Sequence, residues 1–170
     1  MWDVLSSDLR SDAVFIQGHT DRVDASRNQI VKRALQTEAT HLFFLDVDQG
    51  IPQLVRQTLL SHNRSIVSAL AKKRDGTHWL AFYKSPKGFQ PITSILSPLI
   101  RIDGIGLGCV AIEMEVFRSL EAPWFVNTYS DEGVMQLEHD LSFCSKAQAA
   151  GFSIWVDTTC ISSHYCEMGV

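Results

Sequence analysis

The sequence predicts an α/β domain, and three observations carry that expectation. Apolar segments alternate between the two-residue period of strands and the 3.6-residue period of helices along the chain. An uninterrupted apolar run, Thr40 to Leu45, stops at Asp46-Val47-Asp48. A helical stripe near the C-terminus is closed by Gly151. With 170 residues, 45% of them hydrophobic, the chain can bury one sizeable core and is too short to argue for two, so residues 1–170 are read as one domain.

Taken in order, Ala13-Val14-Phe15-Ile16 reads as a short buried strand. Ser26 with Gln29 forms a capping-box signature ahead of Ile30, Val31, Ala34 and Leu35, so a helix is expected to begin at Arg27. Thr40 to Leu45 is a buried strand, and Pro52 stands where the next helix would start, with Leu54, Val55 and Leu59 as its inner face. Ser65 to Ala71 and Trp79 to Tyr83 read as strands on either side of the turn-prone Lys72-Lys73-Arg74-Asp75-Gly76. Gly104-Ile105-Gly106-Leu107-Gly108 leads into an apolar strand, Cys109 to Ile112, and a short helix through Val116-Phe117. Leu137, Leu141, Cys144 and Gln148 share one helical face, which predicts a helix from Glu138 to Ala150 with Gly151 as its C-cap. Ile154 to Asp157 returns as a strand, and a polar stretch, Ser162-Ser163-His164-Tyr165, follows.

Composition excludes several function classes. A formal charge of −4 leaves no basic field for a phosphate backbone, so nucleic acid is not an expected partner. The longest apolar runs fall far short of the ~20 residues that span a bilayer, and no basic-then-apolar signal pattern opens the chain. Cys109, Cys144, Cys160 and Cys166 are scattered without a C-x-x-C pair, which reads as reduced thiols in a cytoplasmic protein; Cys160 and Cys166 could approach each other, but packing is the plainer reading.

Asp46 and Asp48, one residue apart at the carboxyl end of a buried strand, place two hard oxygen ligands at the crevice where open α/β sheets bind ligands, and they suit a divalent cation. They could equally terminate the strand and cap the helix at Pro52. Gly104, Gly106 and Gly108 could let backbone approach a sugar or phosphate, or could mark a bulge; their spacing lacks the context of a dinucleotide fingerprint.

Further motifs bear on the choice. Ser26-Arg27-Asn28-Gln29, the run from Thr40 to Asp48 and Pro52 resemble the R-N, D-x-D and P landmarks of family-2-like GT-A glycosyltransferases of bacterial or phage type. Ile105-Gly106-Leu107-Gly108-Cys109 with Val116-Phe117, His139-Asp140-Leu141-Ser142-Phe143-Cys144, and Gly151 to Asp157 follow in that family's order, so the resemblance covers residues 22–166. It implies a Rossmann-like GT-A fold, a three-layer α/β/α sandwich, and a metal-dependent transfer of sugar from a nucleotide-sugar donor to a glycan, protein or small-molecule acceptor. The cofactor implied is Mn²⁺ or Mg²⁺.

The resemblance implies residue roles as well. Asp48 would ligate the cation, Asp46 would face the donor ribose or reach the metal through water, and His164 would join the ligand set. Arg27, with Asn28, Gly106 and Gly108, would line the donor site, and Asp140 would take the acceptor's proton. His139 departs from the family pattern, which has Glu there, and the family's opening nucleotide-binding strand is not evident, so the fold is expected to be N-terminally truncated.

Two other readings stand beside this one. Phe44-Leu45-Asp46-Val47-Asp48 fits the opening of haloacid-dehalogenase-like phosphohydrolases with Asp46 as nucleophile, although Gln49-Gly50-Ile51 replaces their Gly-Thr and a complete strand–helix unit precedes the motif. A truncated GT-A module that binds a glycan or partner without turnover is the other.

Overall fold

The computed structural model describes residues 22–164. The strand expected at Ala13 to Ile16, the Met1 to Leu9 segment, Tyr165 and Cys166 lie outside the described residues.

Helix α1 (Val23–Ala34) buries Arg27, Val31 and Ala34 on one face. It begins four residues before the position expected from Ser26. The Ser26 amide already donates to Arg22 O at 2.9 Å inside the first turn, and the start is marked by Arg22, whose guanidinium pairs with Asp24 at 2.5 Å. Asp24 also suits the positive end of the helix dipole. Strand β1 (His41–Leu45) follows, then β2 (Gln49–Gly50) and α2 (Val55–Ser61). Pro52 does not open α2. Leu54 stands at its N-cap with φ 61°, a left-handed conformation that turns its side chain outward, where it is 46% exposed and no part of the inner face formed by Val55 and Leu59.

Strands β3 (Ile66–Ala71), β4 (Ala81–Ser85), β5 (Gly88–Pro91), β6 (Leu99–Ile102), β7 (Gly104–Ile105) and β8 (Cys109–Glu113) come next. After them stand α3 (Met114–Ser119), β9 (Thr128–Tyr129), β10 (Met135–Leu137), α4 (His139–Ala149) and β11 (Ile154–His164). Trp79 only bridges to Lys72, so β4 starts two residues later than expected. On α4 the buried face is Phe143, Cys144 and Ala147 with Ser142; Leu141 and Gln148 are half-buried, and Gln148 instead donates to Asp103 at 2.9 Å. Gly151 follows the helix with φ 92°, as its C-terminal position predicts.

The main sheet has six strands in the order β1-β8-β3-β11, with β6 and β2 both on the far side of β11. β8 runs antiparallel to β1 and β3, whereas β3 and β11 are parallel, so β1, β3 and β11 end at one edge. The sheet is therefore mixed. Its faces sort by the two-residue period of the strands. Leu42, Phe44, Ile66, Val110 and Ile112 join Val31, Phe117 and Phe143 of α1, α3 and α4, while Val67, Ala69, Cys109 and Ala111 join Val55 and Leu59 of α2. Helices thus pack on both faces of the central mixed sheet. Phe125 packs on Phe143 at 4.9 Å between ring centroids and edge-on to Phe44 at 5.6 Å, which extends the core below α1. β4, β5 and β7 form a small separate sheet, and β9 pairs with β10 in a hairpin before α4.

β11 is longer than the sequence suggested. Ser162, Ser163 and His164, expected as a polar stretch after the last strand, belong to it, because an irregularity lets it change partners. Ile154–Asp157 pair with β6, and Ser163 and His164 pair with Gly50 and Gln49. Between Asp157 and Ile161 the register with β3 shifts, and the Asp157 carboxylate organises the shift. Its Oδ1 accepts from Thr159 N at 2.8 Å, Thr159 Oγ1 at 2.6 Å and Cys160 N at 3.1 Å, and its Oδ2 meets His62 Nε2 at 2.8 Å.

Burial alone would raise the Asp157 pKa, but the donors from Thr159, His62 and Cys160 outweigh it and hold the carboxyl below its ordinary value. A carboxylate depressed in the folded state stabilises above its unfolded pKa of ~3.9, and that contribution is lost as pH falls through the lower folded value. Asp157→Ala is thus expected to cost about 3 kcal/mol at pH 7, since it strands several donors in a buried site. Urea unfolding at pH 7 and at pH values below ~4 checks this: the gap between variant and wild type should narrow in acid.

Among the described residues no helix is long and apolar enough to cross a membrane. Cys109, Cys144 and Cys160 are free and buried; burial pushes Cys144 up to about 12 and Cys160 up to about 11, so neither is a ready thiolate at neutral pH.

Candidate active site

The edge at which β1, β3 and β11 end gathers most of the polar residues singled out in the sequence. Directly after β1 the chain turns, with Asp46 N donating to Gly108 O at 2.9 Å and Gln49 N donating to Asp46 O at 3.1 Å. This turn places Asp46 beneath α1 and aims Asp48 toward the end of β11. α4 begins at the same place, so His139 and Asp140 enter from the opposite side.

Arg27 is the node of the first group. It is 4% exposed and lies 5.8 Å from the Phe44 ring centroid. Nη2 donates to Asp46 Oδ1 at 3.2 Å and Oδ2 at 3.1 Å, while Nη1 donates to Asp140 Oδ1. The guanidinium thus ties the two carboxylates together. Asp140 Oδ2 accepts from Leu107 N at 3.1 Å. Burial would raise Asp140, but the Arg27 charge, the His139 contact and the Leu107 amide outweigh it and hold the group below the ordinary range. Asp46 moves the other way: burial lifts it, Arg27 offsets part of the rise, and the Asp140 and Asp48 charges add to it.

His139 is held at both ring nitrogens: Asn127 Oδ1 accepts the His139 amide at 2.8 Å and lies 3.2 Å from Nδ1, while Nε2 lies 3.0 Å from both Arg27 Nη1 and Asp140 Oδ1.

The second group is Asp48, His164, Gln49 and Arg74. Asp48 Oδ2 lies 3.4 Å from His164 Nδ1 and accepts from Arg74 Nη2. Burial would raise Asp48, but Arg74 and His164 outweigh it, so the carboxyl is held below its usual value. Gln49 is 2% exposed; its Oε1 accepts from Ser162 Oγ and its Nε2 sits 3.0 Å from His164 Nε2.

The other expected residues fall elsewhere or play other parts. Asn28 spends its amide on backbone groups: Nδ2 donates to Asp24 O at 2.9 Å and Phe125 O at 2.7 Å, and Oδ1 accepts from Trp124 N at 2.9 Å. It pins α1 to the segment before β9 and is not turned to Asp48. Gly106 packs against Leu80, where an added Cβ would come within 3.1 Å. Gly108 does border the site: a Cβ there would lie 2.9 Å from Gln49 Nε2 and 3.2 Å from Asp46 Oδ2. Because Gln49 is buried and held by Ser162 and His164, it cannot readily make room, and Gly108→Ala is expected to cost about 1–3 kcal/mol of stability, as urea unfolding would measure.

For a divalent cation, the arrangement offers two donors. Among the described residues no three His, Cys, Asp or Glu side chains converge on one point. The expected set of Asp46, Asp48 and His164 resolves into Asp48 with His164, because Arg27 holds Asp46. An oxygen and an imidazole nitrogen at this separation suit neighbouring positions on one ion, and Mg²⁺ or Mn²⁺ commonly keeps waters and takes its remaining ligands from substrate phosphates. The residues present fit such an ion.

Four residues that position the site escaped the sequence reading. Gln49 and Arg74 look like ordinary turn residues, Asn127 acts through His139 twelve residues on, and Asp157 joins its neighbours Thr159 and Cys160 to the distant His62. A D-x-D followed directly by Gln was the one local signal available.

No protein-family model matches this chain, and no curated protein matches it. Among solved structures it is similar to the viral protein A197 from STIV, with 17% identity and a TM-score of 0.72 over 98% of this chain and 78% of that one. It is also similar to GalNAc-T7, a GT-A glycosyltransferase solved with UDP, GalNAc and Mn²⁺, with 12% identity and a TM-score of 0.57. That likeness covers 85% of this chain and 31% of the other, so the chain spans about a third of GalNAc-T7. At these identities the likeness is one of fold: a mixed α/β fold similar in part to a GT-A glycosyltransferase.

Proposed function

We propose that this chain is a metal-dependent glycosyltransferase that moves a sugar from a nucleotide-sugar donor to an acceptor hydroxyl. The observation that carries the reading is the meeting, at one sheet edge, of Asp48 with His164 and of Asp140 with the Arg27–Asp46 pair. The fold likeness to GalNAc-T7 supports it. Asp48 and His164 would hold Mn²⁺ or Mg²⁺, which when bound supplies Lewis-acid stabilisation of a diphosphate leaving group.

In the transfer, the acceptor oxygen forms a bond to the anomeric carbon as that carbon's bond to the phosphate oxygen breaks. The electron pair leaves with the nucleoside diphosphate, and the acceptor's proton passes to Asp140. Asp140 is suited to receive it because Arg27 and the Leu107 amide keep it ionised and fixed in direction, at some cost in basicity. Arg27 and the Phe44 ring beneath it keep Asp46 and Asp140 in one orientation before substrate arrives.

A thermal-shift screen of UDP, GDP, CDP and dTDP, with and without Mn²⁺, tests the reading. One nucleotide should raise the melting temperature only when Mn²⁺ is present. No shift with any of the four, together with no donor hydrolysis, would turn the reading to a module that binds a glycan or partner without turnover.

A further inference from the structure

Arg74 takes no part in the transfer described above, yet it holds the carboxylate on which cation binding depends. The loop between β3 and β4 is built to present it. Lys73 N donates to His78 O at 2.9 Å, Gly76 N to Lys73 O at 2.8 Å and Leu80 N to Ala71 O at 2.8 Å, so the segment folds back on itself as a tight finger. Asp75 Oδ1 closes the tip by accepting from Thr77 N at 3.0 Å and Thr77 Oγ1 at 2.6 Å, and the Lys72 ammonium lies 4.8 Å over the Trp79 ring at its base. From this finger the Arg74 side chain, 68% exposed, reaches across to Asp48 Oδ2, the oxygen that also faces His164 Nδ1.

A guanidinium therefore stands at the oxygen a divalent cation would take, and it supplies there the positive charge that the cation would supply. The two compete, because a dehydrated divalent ion and a guanidinium repel each other and approach the same oxygen, Asp48 Oδ2. An arginine released at that point would stand beside the phosphates gathered by the ion, and its planar fork matches a phosphate's oxygens. We propose that Arg74 is a placeholder cation: it neutralises Asp48 in the cation-free protein, yields that oxygen when a divalent cation binds, and then turns its guanidinium onto the donor's diphosphate. This rests on the glycosyltransferase reading.

The test compares wild type, Arg74→Met, Arg74→Lys and Asp48→Asn as the full chain. Mn²⁺ binding is followed by the electron paramagnetic resonance of the free ion, and nucleotide binding by calorimetry with UDP, GDP, CDP and dTDP at saturating Mn²⁺. Arg74→Met should bind Mn²⁺ about 3- to 5-fold more tightly than wild type, since a competitor for Asp48 is gone. The same variant should bind its preferred nucleoside diphosphate roughly 10-fold more weakly, since a charge-assisted contact is lost. Arg74→Lys, which keeps the charge, should stay near wild type in Mn²⁺ affinity.

Opposite signs for the two ligands are the signature; a merely structural role would weaken both. Unchanged or weaker Mn²⁺ binding in Arg74→Met overturns the placeholder, as does tighter Mn²⁺ binding with undiminished nucleotide affinity. In either case the glycosyltransferase reading survives, provided Asp48→Asn abolishes Mn²⁺ binding. If no variant and not the wild type binds Mn²⁺, the placeholder and the reading fall together.

Discussion

Under the proposed function, Asp48→Asn is expected to lower sugar transfer by roughly 10³-fold while leaving the domain folded. The asparagine keeps the shape of the side chain and one neutral oxygen, but it removes the charged oxygen that His164 approaches at 3.4 Å. Losing a metal's Lewis-acid contribution costs several kcal/mol of transition-state stabilisation, which sets the expected loss in rate. Stability should hardly change. The ion pair lost with Arg74 joins Asp48 to a largely exposed side chain, and pairs of that kind are worth about 1 kcal/mol or less. Circular dichroism melting of the variant beside a donor-turnover assay separates the two effects, and full turnover in Asp48→Asn would remove the metal assignment.

Arg27→Met should produce the largest fall in stability, about 3–5 kcal/mol. Methionine fills the space of the arginine stem against Phe44, so the loss comes from charge and not from a cavity. What remains is Asp46 and Asp140 facing one another without the guanidinium that joined them. Adding Asp140→Asn should recover about 1–2 kcal/mol of the loss, because the two sites are coupled directly. Urea titrations of the two single variants and the double variant measure the coupling. Additive effects, or a loss below about 1 kcal/mol for Arg27→Met, would mean that the cluster does not act as a unit.

The elements that the sequence made legible are those whose pattern is local. Thr40 to Leu45, Cys109 to Ile112 and Glu138 to Ala150 carry their own periodicity, and each forms within a residue or two of its expected bounds. What local pattern could not convey is pairing. Nothing in Cys109–Glu113 states that β8 runs against both of its neighbours, because strand direction is decided by partners dozens of residues away. Ser162, Ser163 and His164 are too polar to read as a strand, and they become one because Asp157 redirects the chain onto β2. Ser26 offered a plausible helix start but lies inside α1, whose boundary is fixed by the Arg22–Asp24 pair and by the docking of Arg27 and Val31.

The candidate site was legible in the same uneven way. Asp46, Asp48, Asp140 and His164 were singled out and do lie along one edge, since all four sit at ends of elements that finish or begin there. Arg27 was noticed too, though its surroundings were not. An arginine in the first half of an amphipathic helix gives no sign that it will be buried between two carboxylates contributed by β1 and α4. Asn28, beside it, points to backbone groups for the same reason: one step around the helix changes the neighbour entirely.

The placement of β11 governs the order in which the molecule can come together during synthesis. This strand lies beside β3 inside the main sheet, flanked on its other side by β6 and then β2, yet the ribosome delivers it after every other strand described. Until it arrives, one edge of β3 is open, β6 and β2 have no partner in that sheet, and Asp48 has no imidazole beside it. The meeting of Asp48 with His164 thus depends on the same insertion that closes the hydrophobic layers.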